Sequence, residues 1–293
     1  MLILAIDTSG QAISACLLEN GKLILELNSK DDQPENSESN LSHSLQEGAK
    51  RSSGGAGSDD VLPAGYTKKR SKRGSKTSRV FPPGASVLLA PMLKSLTDQC
   101  GISYDQIGLI ALPTGPGLFT GIRVGVVSAK CLAYSTKADL IGVNTLEVIA
   151  AQTAIAENCF GKLIAAVLNA QRQQLFCGDY ISKSDWCVKP VSPNRTLGRE
   201  EWIESNECSL VTGSGLKPMG QTLADQSELV VASPDAWECS SASVGRLAWQ
   251  QYQDGRRDDF WKLEPVYFRP SSAEEIRSAK AKAMVDAKPK SSR

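Results

Sequence analysis

Three short apolar runs open the chain, Leu2–Asp7, Ile13–Glu19 and Leu23–Asn28, separated by the turn formers Ser9-Gly10 and Glu19-Asn20-Gly21. Runs of this length between such turns predict three strands, the last two joined as a hairpin. From about Ser29 to Pro83 the periodicity disappears, and Ser, Gly, Asp, Glu and Lys dominate. So little apolar surface does not offset the entropy of ordering, so residues 29–83 are expected to be a disordered insert. Order returns at Ala85. Val87, Leu88, Pro91, Met92, Leu93, Leu96 and Cys100 fit one helix, with Pro91 near its first turns and Gly101 ending it. A strand over Ile107–Leu112, a turn and helix over Gly117–Ser135, a strand over Leu140–Val143 and a helix over Thr145–Ile155 follow. The pattern then restarts with strands at Leu163–Leu168 and Leu175–Tyr180 and a polar, Trp-containing stretch. A short helix near Glu200–Ser205, a strand at Leu210–Val211 and a last helix at Ser243–Tyr252 complete it. Two successive α/β units, each opening on a hairpin, predict a duplicated two-lobe architecture: residues 1–155, then 156–270, then a basic tail over 271–293.

Composition narrows the chemistry. The chain has 293 residues, 41% of them hydrophobic, enough for a real core. Its net charge of +1 gives no global field pointing to nucleic acid or membrane. The apolar start is interrupted at Asp7 and has no basic flank, so neither a signal peptide nor a membrane span is expected, and a cytoplasmic protein is. The eight cysteines are scattered without a C-x-x-C pair and read as free thiols. His43 is the only histidine and lies in the polar insert. A site needing two histidines is thereby excluded, and no metal site or catalytic residue is assigned. Within the insert, Lys68–Lys76 is strongly basic. A solvated, self-repelling loop is the preferred reading, and an RNA-contacting arm the alternative.

The most informative stretch is Thr114-Gly-Pro-Gly-Leu-Phe-Thr-Gly-Ile-Arg-Val-Gly-Val-Val-Ser-Ala-Lys130. A strand, a glycine–proline turn (Gly115, Pro116, Gly117) and a small-residue helix with Thr120 and Gly121 in its first turn place a backbone loop against something. One reading is a tight turn with glycines for close packing. The other is a docking point, the amides of Phe119 to Ile122 offering free N–H groups at a helix start. Asp7-Thr8-Ser9, after the first strand, reads either as a phosphate-loop remnant or as a turn kept for folding.

The duplicated pattern with Asp7-Thr8-Ser9 resembles the actin/hexokinase/Hsp70-like (ASKHA) fold. The motifs narrow this further. Ile6-Asp-Thr-Ser9, Gly115-Pro-Gly-Leu-Phe-Thr-Gly-Ile-Arg-Val-Gly125, Ala129-Lys-Cys131, Gly142-Val-Asn-Thr-Leu-Glu147 and Pro265-Val-Tyr-Phe-Arg-Pro270 together resemble the signature of the bacterial TsaB (YeaZ) family of glycoprotease-like proteins. There are departures. Ala85-Ser86 stands where the family carries H-S, Asn169-Ala-Gln-Arg172 where D-A-R-R is usual, and Gly213-Ser-Gly215 where G-D-G is usual.

The resemblance implies a non-catalytic partner subunit in a complex that adds threonylcarbamoyl to N6 of the adenosine beside the anticodon of tRNAs reading A-starting codons. It implies a TsaD-type transferase and a TsaE-type ATPase as partners, with tRNA reached through the complex; for the chain alone, homodimer and monomer both stay open. No cofactor of its own is implied. Threonylcarbamoyl-adenylate, ATP and a metal would belong to the complex, the metal held by the transferase. The helices over Val87–Cys100 and Phe119–Ser135 would form the partner face, with Leu89, Met92, Leu93, Leu96, Phe119, Arg123, Val127, Lys130 and Ala133 as contact residues. The small residues of the second helix would let a facing helix approach. The competing reading is a stand-alone enzyme of the same fold, a glycoprotease-like peptidase or small-molecule kinase. The first lacks an activated nucleophile and the second has Asp7 as its one acid.

Overall fold

The computed structural model describes residues 1–29, 84–220, 223 and 229–268. The readings of the insert, of its basic stretch, of His43 and of the 271–293 tail lie outside the described residues. Ser29, at the start of the expected insert, is still part of the fold: its amide donates to the Ile13 carbonyl and its hydroxyl accepts from the Ile13 amide.

Strands β1 (Leu2–Asp7), β2 (Ser14–Glu19) and β3 (Lys22–Asn28) form an antiparallel meander. Helix α1 (Ala85–Cys100) follows, closed by Gly101 in the left-handed region (φ 64°). Strand β4 (Ile107–Gly115), helix α2 (Phe119–Thr136), strand β5 (Asp139–Asn144) and helix α3 (Thr145–Ala156) come next. β4 pairs parallel to β1, and β5 parallel to β4, giving the sheet order β3-β2-β1-β4-β5.

The second half repeats this order. Strands β6 (Leu163–Asn169), β7 (Gln174–Ser184) and β8 (Cys187–Pro190) form a meander, β9 (Arg195–Gly198) adds to β7, and helix α4 (Arg199–Ser205) follows. Strands β10 (Leu210–Thr212) and β11 (Val230–Val231) then pair parallel on the β6 side, so the second sheet runs β8-β7-β6-β10-β11. Helix α5 (Ser241–Gln253) is last, its start capped by the Ser240 hydroxyl accepting from the Ser243 amide. Meander, then two parallel strands, occurs twice in the same order, so the α/β duplication expected from the sequence is present.

Helix placement crosses the two halves. α3 follows the first sheet but packs on β6, β7 and β8, and α5 follows the second sheet but packs on β1 and β2. One core cluster therefore holds Ile3, Ala5 and Leu18 of the first sheet, Ile164, Ala166 and Tyr180 of the second, and Leu146, Ile149 and Val244 of the two helices. The opposite face of the first sheet, Leu4, Ile6, Leu17, Ile110 and Leu112, is covered by α1 and α2. β8, β9 and the 3-10 turn over Ser214–Met219 have no counterpart in the sequence reading. They are short, and β9 is held by its register with β7 rather than by apolar alternation of its own.

Candidate partner interface

α2 carries two stripes. Gly121, Ile122, Gly125, Val126, Ala129 and Ala133 face inward, where they cover the first sheet. Burying Ile122 and Val126 contributes about 2 kcal/mol each. Arg123, Val127, Lys130 and Tyr134, at i, i+4, i+7 and i+11, face outward, with Val127 60% and Tyr134 57% exposed.

The glycines of the signature serve the fold. A Cβ at Gly117 would meet the Ser9 carbonyl oxygen, and one at Gly121 or Gly125 would overlap the Thr8 carbonyl or hydroxyl oxygen. α2 thus seats its small-residue stripe on the β1–β2 turn of its own chain. The expectation that this stripe admits a partner helix is corrected: the close approach it permits is already taken. The amide of Leu118, just before the helix, donates to the Ser9 carbonyl at 2.8 Å.

The Asp7-Thr8-Ser9 turn is equally occupied. All three residues are buried. The Ser9 amide and hydroxyl both donate to Asp7 Oδ1, at 2.8 and 2.7 Å. The Thr8 hydroxyl is buried and has no hydrogen-bond partner among the described residues. Burial pushes the Asp7 carboxyl up to about 6, against the lowering effect of the two Ser9 bonds and of the neighbouring Cys239 thiol. Burial and the nearby Asp7 also raise the Cys239 thiol well above its usual range. In this arrangement the hydroxyl and amide of Ser9 turn inward to Asp7, and the reading of the turn as a phosphate loop gains no support.

The nine expected contact residues divide. Phe119, Arg123, Val127 and Lys130 reach the surface. Leu89, Met92, Leu93, Leu96 and Ala133, expected as partner contacts, are buried in the chain's own core. Leu89, Met92, Leu93 and Leu96 repeat at helical spacing, and that stripe is the one the first sheet needs for cover.

The sequence reading did not anticipate what the surface residues hold. Residues 258–268, after α5, cross the β5 edge and run along α2. The Asp258 amide donates to the Leu140 carbonyl, and Asp258 Oδ2 accepts from the Gly142 amide. The Val266 amide donates to the Thr114 carbonyl, and a side chain at Gly115 would collide with the Val266 carbonyl. Lys130 Nζ donates to the carbonyls of Trp261 and Leu263 at 3.3 and 3.0 Å. Arg123 Nε donates to the Tyr267 hydroxyl at 2.8 Å, its guanidinium lying 4.1 Å from the centre of the Phe119 ring. The signature residues Gly115, Arg123 and Lys130 therefore seat the C-terminal segment as a strap.

A shallow cleft of about 460 Å³ lies elsewhere, between the start of α3 and the β8–β9 loop, lined by Asn144, Glu147, Tyr180, Pro190, Ser192 and Asn194. Burial raises the Glu147 carboxyl, while Arg256 and a hydrogen bond from Gln251 act against the rise. Among the described residues no three His, Cys, Asp or Glu side chains converge as metal ligands, and no helix is long and apolar enough to cross a membrane.

Residues 84–186 match the TsaD family, tRNA N6-adenosine threonylcarbamoyltransferase. The tRNA threonylcarbamoyladenosine biosynthesis protein TsaB of Bacillus subtilis is 32% identical over 119 residues, covering 41% of this chain and 50% of that protein. The Escherichia coli protein of the same name is 26% identical over 191 residues, covering 63% of this chain and 80% of that protein. The match thus spans half the length of the first relative and four fifths of the second. The solved structure of YeaZ from Pseudomonas aeruginosa superposes with a TM-score of 0.62 at 19% identity, over 91% of this chain and 99% of that one, so the fold is shared. The chain is thus similar in sequence to TsaB proteins over these spans and shares its fold with YeaZ.

Proposed function

We propose that the chain is a partner subunit in the complex that adds threonylcarbamoyl to N6 of the adenosine beside the anticodon, in tRNAs reading A-starting codons. Its role there is to bind and support a TsaD-type transferase in the cytoplasm. It has no catalytic centre of its own. Threonylcarbamoyl-adenylate, ATP and a transferase-bound metal belong to the complex, and a TsaE-type ATPase joins it. The relatives' name, tRNA threonylcarbamoyladenosine biosynthesis protein, supports the pathway. The observation that carries the partner role is that the segment matching the transferase family, residues 84–186, contains the whole of α1 and α2. Two chains sharing that helix pair can meet through equivalent faces, and here the outward stripe of α2 includes an apolar residue, Val127, 60% exposed. We further propose that residues 1–155 and 156–270 act as the two lobes, and that the chain self-associates when no transferase is present.

The test is transfer from threonylcarbamoyl-adenylate to tRNA by purified transferase, with and without this chain. Modification that rises with the chain and returns to the transferase-alone level with Val127→Glu supports the reading. Equal modification in its presence and absence sinks it.

A further inference from the structure

We propose that the cleft between the start of α3 and the β8–β9 loop binds a neutral vicinal diol, as carried by a free sugar or by the ribose of a nucleoside. This site is separate from the α2 surface and does not depend on the partner reading.

Both halves of the chain supply its polar groups. From the first come Asn144 and Glu147 of the Gly142–Glu147 motif, and from the second Tyr180, Ser192 and Asn194. Asn144 Oδ1 caps α3, accepting from the Leu146 amide at 2.9 Å and the Glu147 amide at 3.4 Å. Glu147 accepts from Gln251 Nε2 at 3.0 Å through Oε1. Tyr180 is only 2% exposed, and its hydroxyl lies between the two asparagines, 3.4 Å from Asn144 Oδ1 and 3.1 Å from Asn194 Oδ1. Among the described residues, the Nδ2 groups of Asn144 and Asn194 and the second carboxyl oxygen of Glu147 have no hydrogen-bond partner, and nothing donates to the Tyr180 oxygen. The cleft therefore presents amide donors interleaved with carboxyl and phenol acceptors.

The far wall is held in place before any ligand arrives. Asp179 Oδ2 accepts from Arg195 Nη1 at 2.6 Å and from the Ser192 hydroxyl at 3.2 Å, and the Asp179 carbonyl accepts from the Val191 amide. Pro190 and Pro193 restrict the same loop. Gly178 lets Asn194 lie against β7, since a Cβ there would meet Asn194 Oδ1. A volume of about 460 Å³ falls in the range of small-molecule sites.

The lining selects the ligand class. It holds no Lys, Arg or His, and Glu147 is its one acid, so a phosphate or carboxylate meets no cation. Arg256, which acts on Glu147 electrostatically, is engaged by Asp258 and the Gly142 carbonyl. Burial works against a charged Glu147 and a charged Tyr180 alike. An ammonium group would face the two amide donors. A hydroxyl both donates and accepts at one atom, so adjacent hydroxyls match the interleaved groups, while Pro190, Val191 and Pro193 give the carbon skeleton an apolar wall.

The test titrates the full chain with D-ribose, D-glucose, adenosine and 2′,3′-dideoxyadenosine, read by saturation-transfer NMR and calorimetry. Saturable binding of at least one diol probe is expected. Asn194→Ala and Glu147→Ala, checked for native melting, should weaken it about fivefold or more, as lost hydrogen bonds do. Glu147→Gln, which keeps an acceptor oxygen, should stay within a few-fold of the parent, and Val127→Glu on α2 should bind as the parent does. Should Glu147→Ala melt early, Asn194→Ala and Glu147→Gln carry the test. Adenosine binding about tenfold tighter than D-ribose would support the proposal with a nucleoside as the source, and a free sugar binding as tightly as adenosine would support it with the sugar. Saturation by none of the probes, dideoxyadenosine binding as tightly as adenosine, or folded alanine variants with parental affinity would each overturn it.

Discussion

The Cα of Gly121 rests against the carbonyl oxygen of Thr8, so close that a methyl group there would overlap it. This contact joins the signature helix to the turn after the first strand, two motifs separated by more than a hundred residues of sequence. It explains both at once. The turn is buried beneath α2, and α2 is small-sided where it crosses the turn.

Gly121→Ala should therefore destabilise the chain, because the atom it meets is backbone and cannot rotate away. A loss of about 1–3 kcal/mol is expected, in the range of overpacked cores, read as a lowered urea midpoint with unchanged slope. Stability equal to the parent would show that α2 can lift from the turn at no cost.

Asp7 predicts a pH dependence. Its folded-state value, raised from 3.8 to about 6, means that folding favours the protonated acid. The favourable contribution is complete below the unfolded value and is lost as pH rises from about 4 to 6. Asp7→Asn keeps an oxygen to accept from Ser9 and carries no charge. Its stability relative to the parent should grow across that window and level off above it, at roughly 3 kcal/mol. A difference that is flat from pH 4 to 7 would contradict the burial of an ionisable Asp7.

Val127 and Ala133 lie six residues apart on α2 but on opposite stripes. Val127→Glu should yield a soluble chain with native melting behaviour that fails to co-purify with the transferase. Ala133→Glu places a carboxylate in the core beneath α2, where an unpaired charge costs several kcal/mol, and should aggregate or melt early. Comparable stability of the two variants would mean the stripes are wrongly assigned.

Lys130 holds two strap carbonyls through its ammonium group. Lys130→Met retains the apolar stem and removes the donors, so the strap should loosen without unfolding α2. Faster proteolysis after Arg257 or Lys262 and a changed Trp emission spectrum are expected, with the core melting temperature nearly constant. Identical digestion of variant and parent would show that Val266 and Asp258 suffice to seat the segment.

Much of the fold was legible in the chain itself. β1 has the same bounds in sequence and structure, and Gly101 stops α1 where the sequence places the stop, because a short apolar run and one left-handed glycine are local facts. The restart of the pattern after Ala156 foretold the second sheet for the same reason. β8 and β9 were not legible, since pairing with β7 defines them and no periodicity of their own does. Nor was the division of α1 and α2 into inner and outer stripes. Both carry apolar residues around much of their circumference, and only the position of the sheet says which of those are covered.

The sequence by itself determined most of the elements, their duplication and the signature motifs, because spacing and turn chemistry act over a few residues. Tertiary structure decided what the signature is for. Gly121 meets Thr8, Gly115 makes way for Val266, and Lys130 reaches Trp261. Each of these is a contact across a long stretch of chain, and such contacts depend on packing that no local pattern encodes.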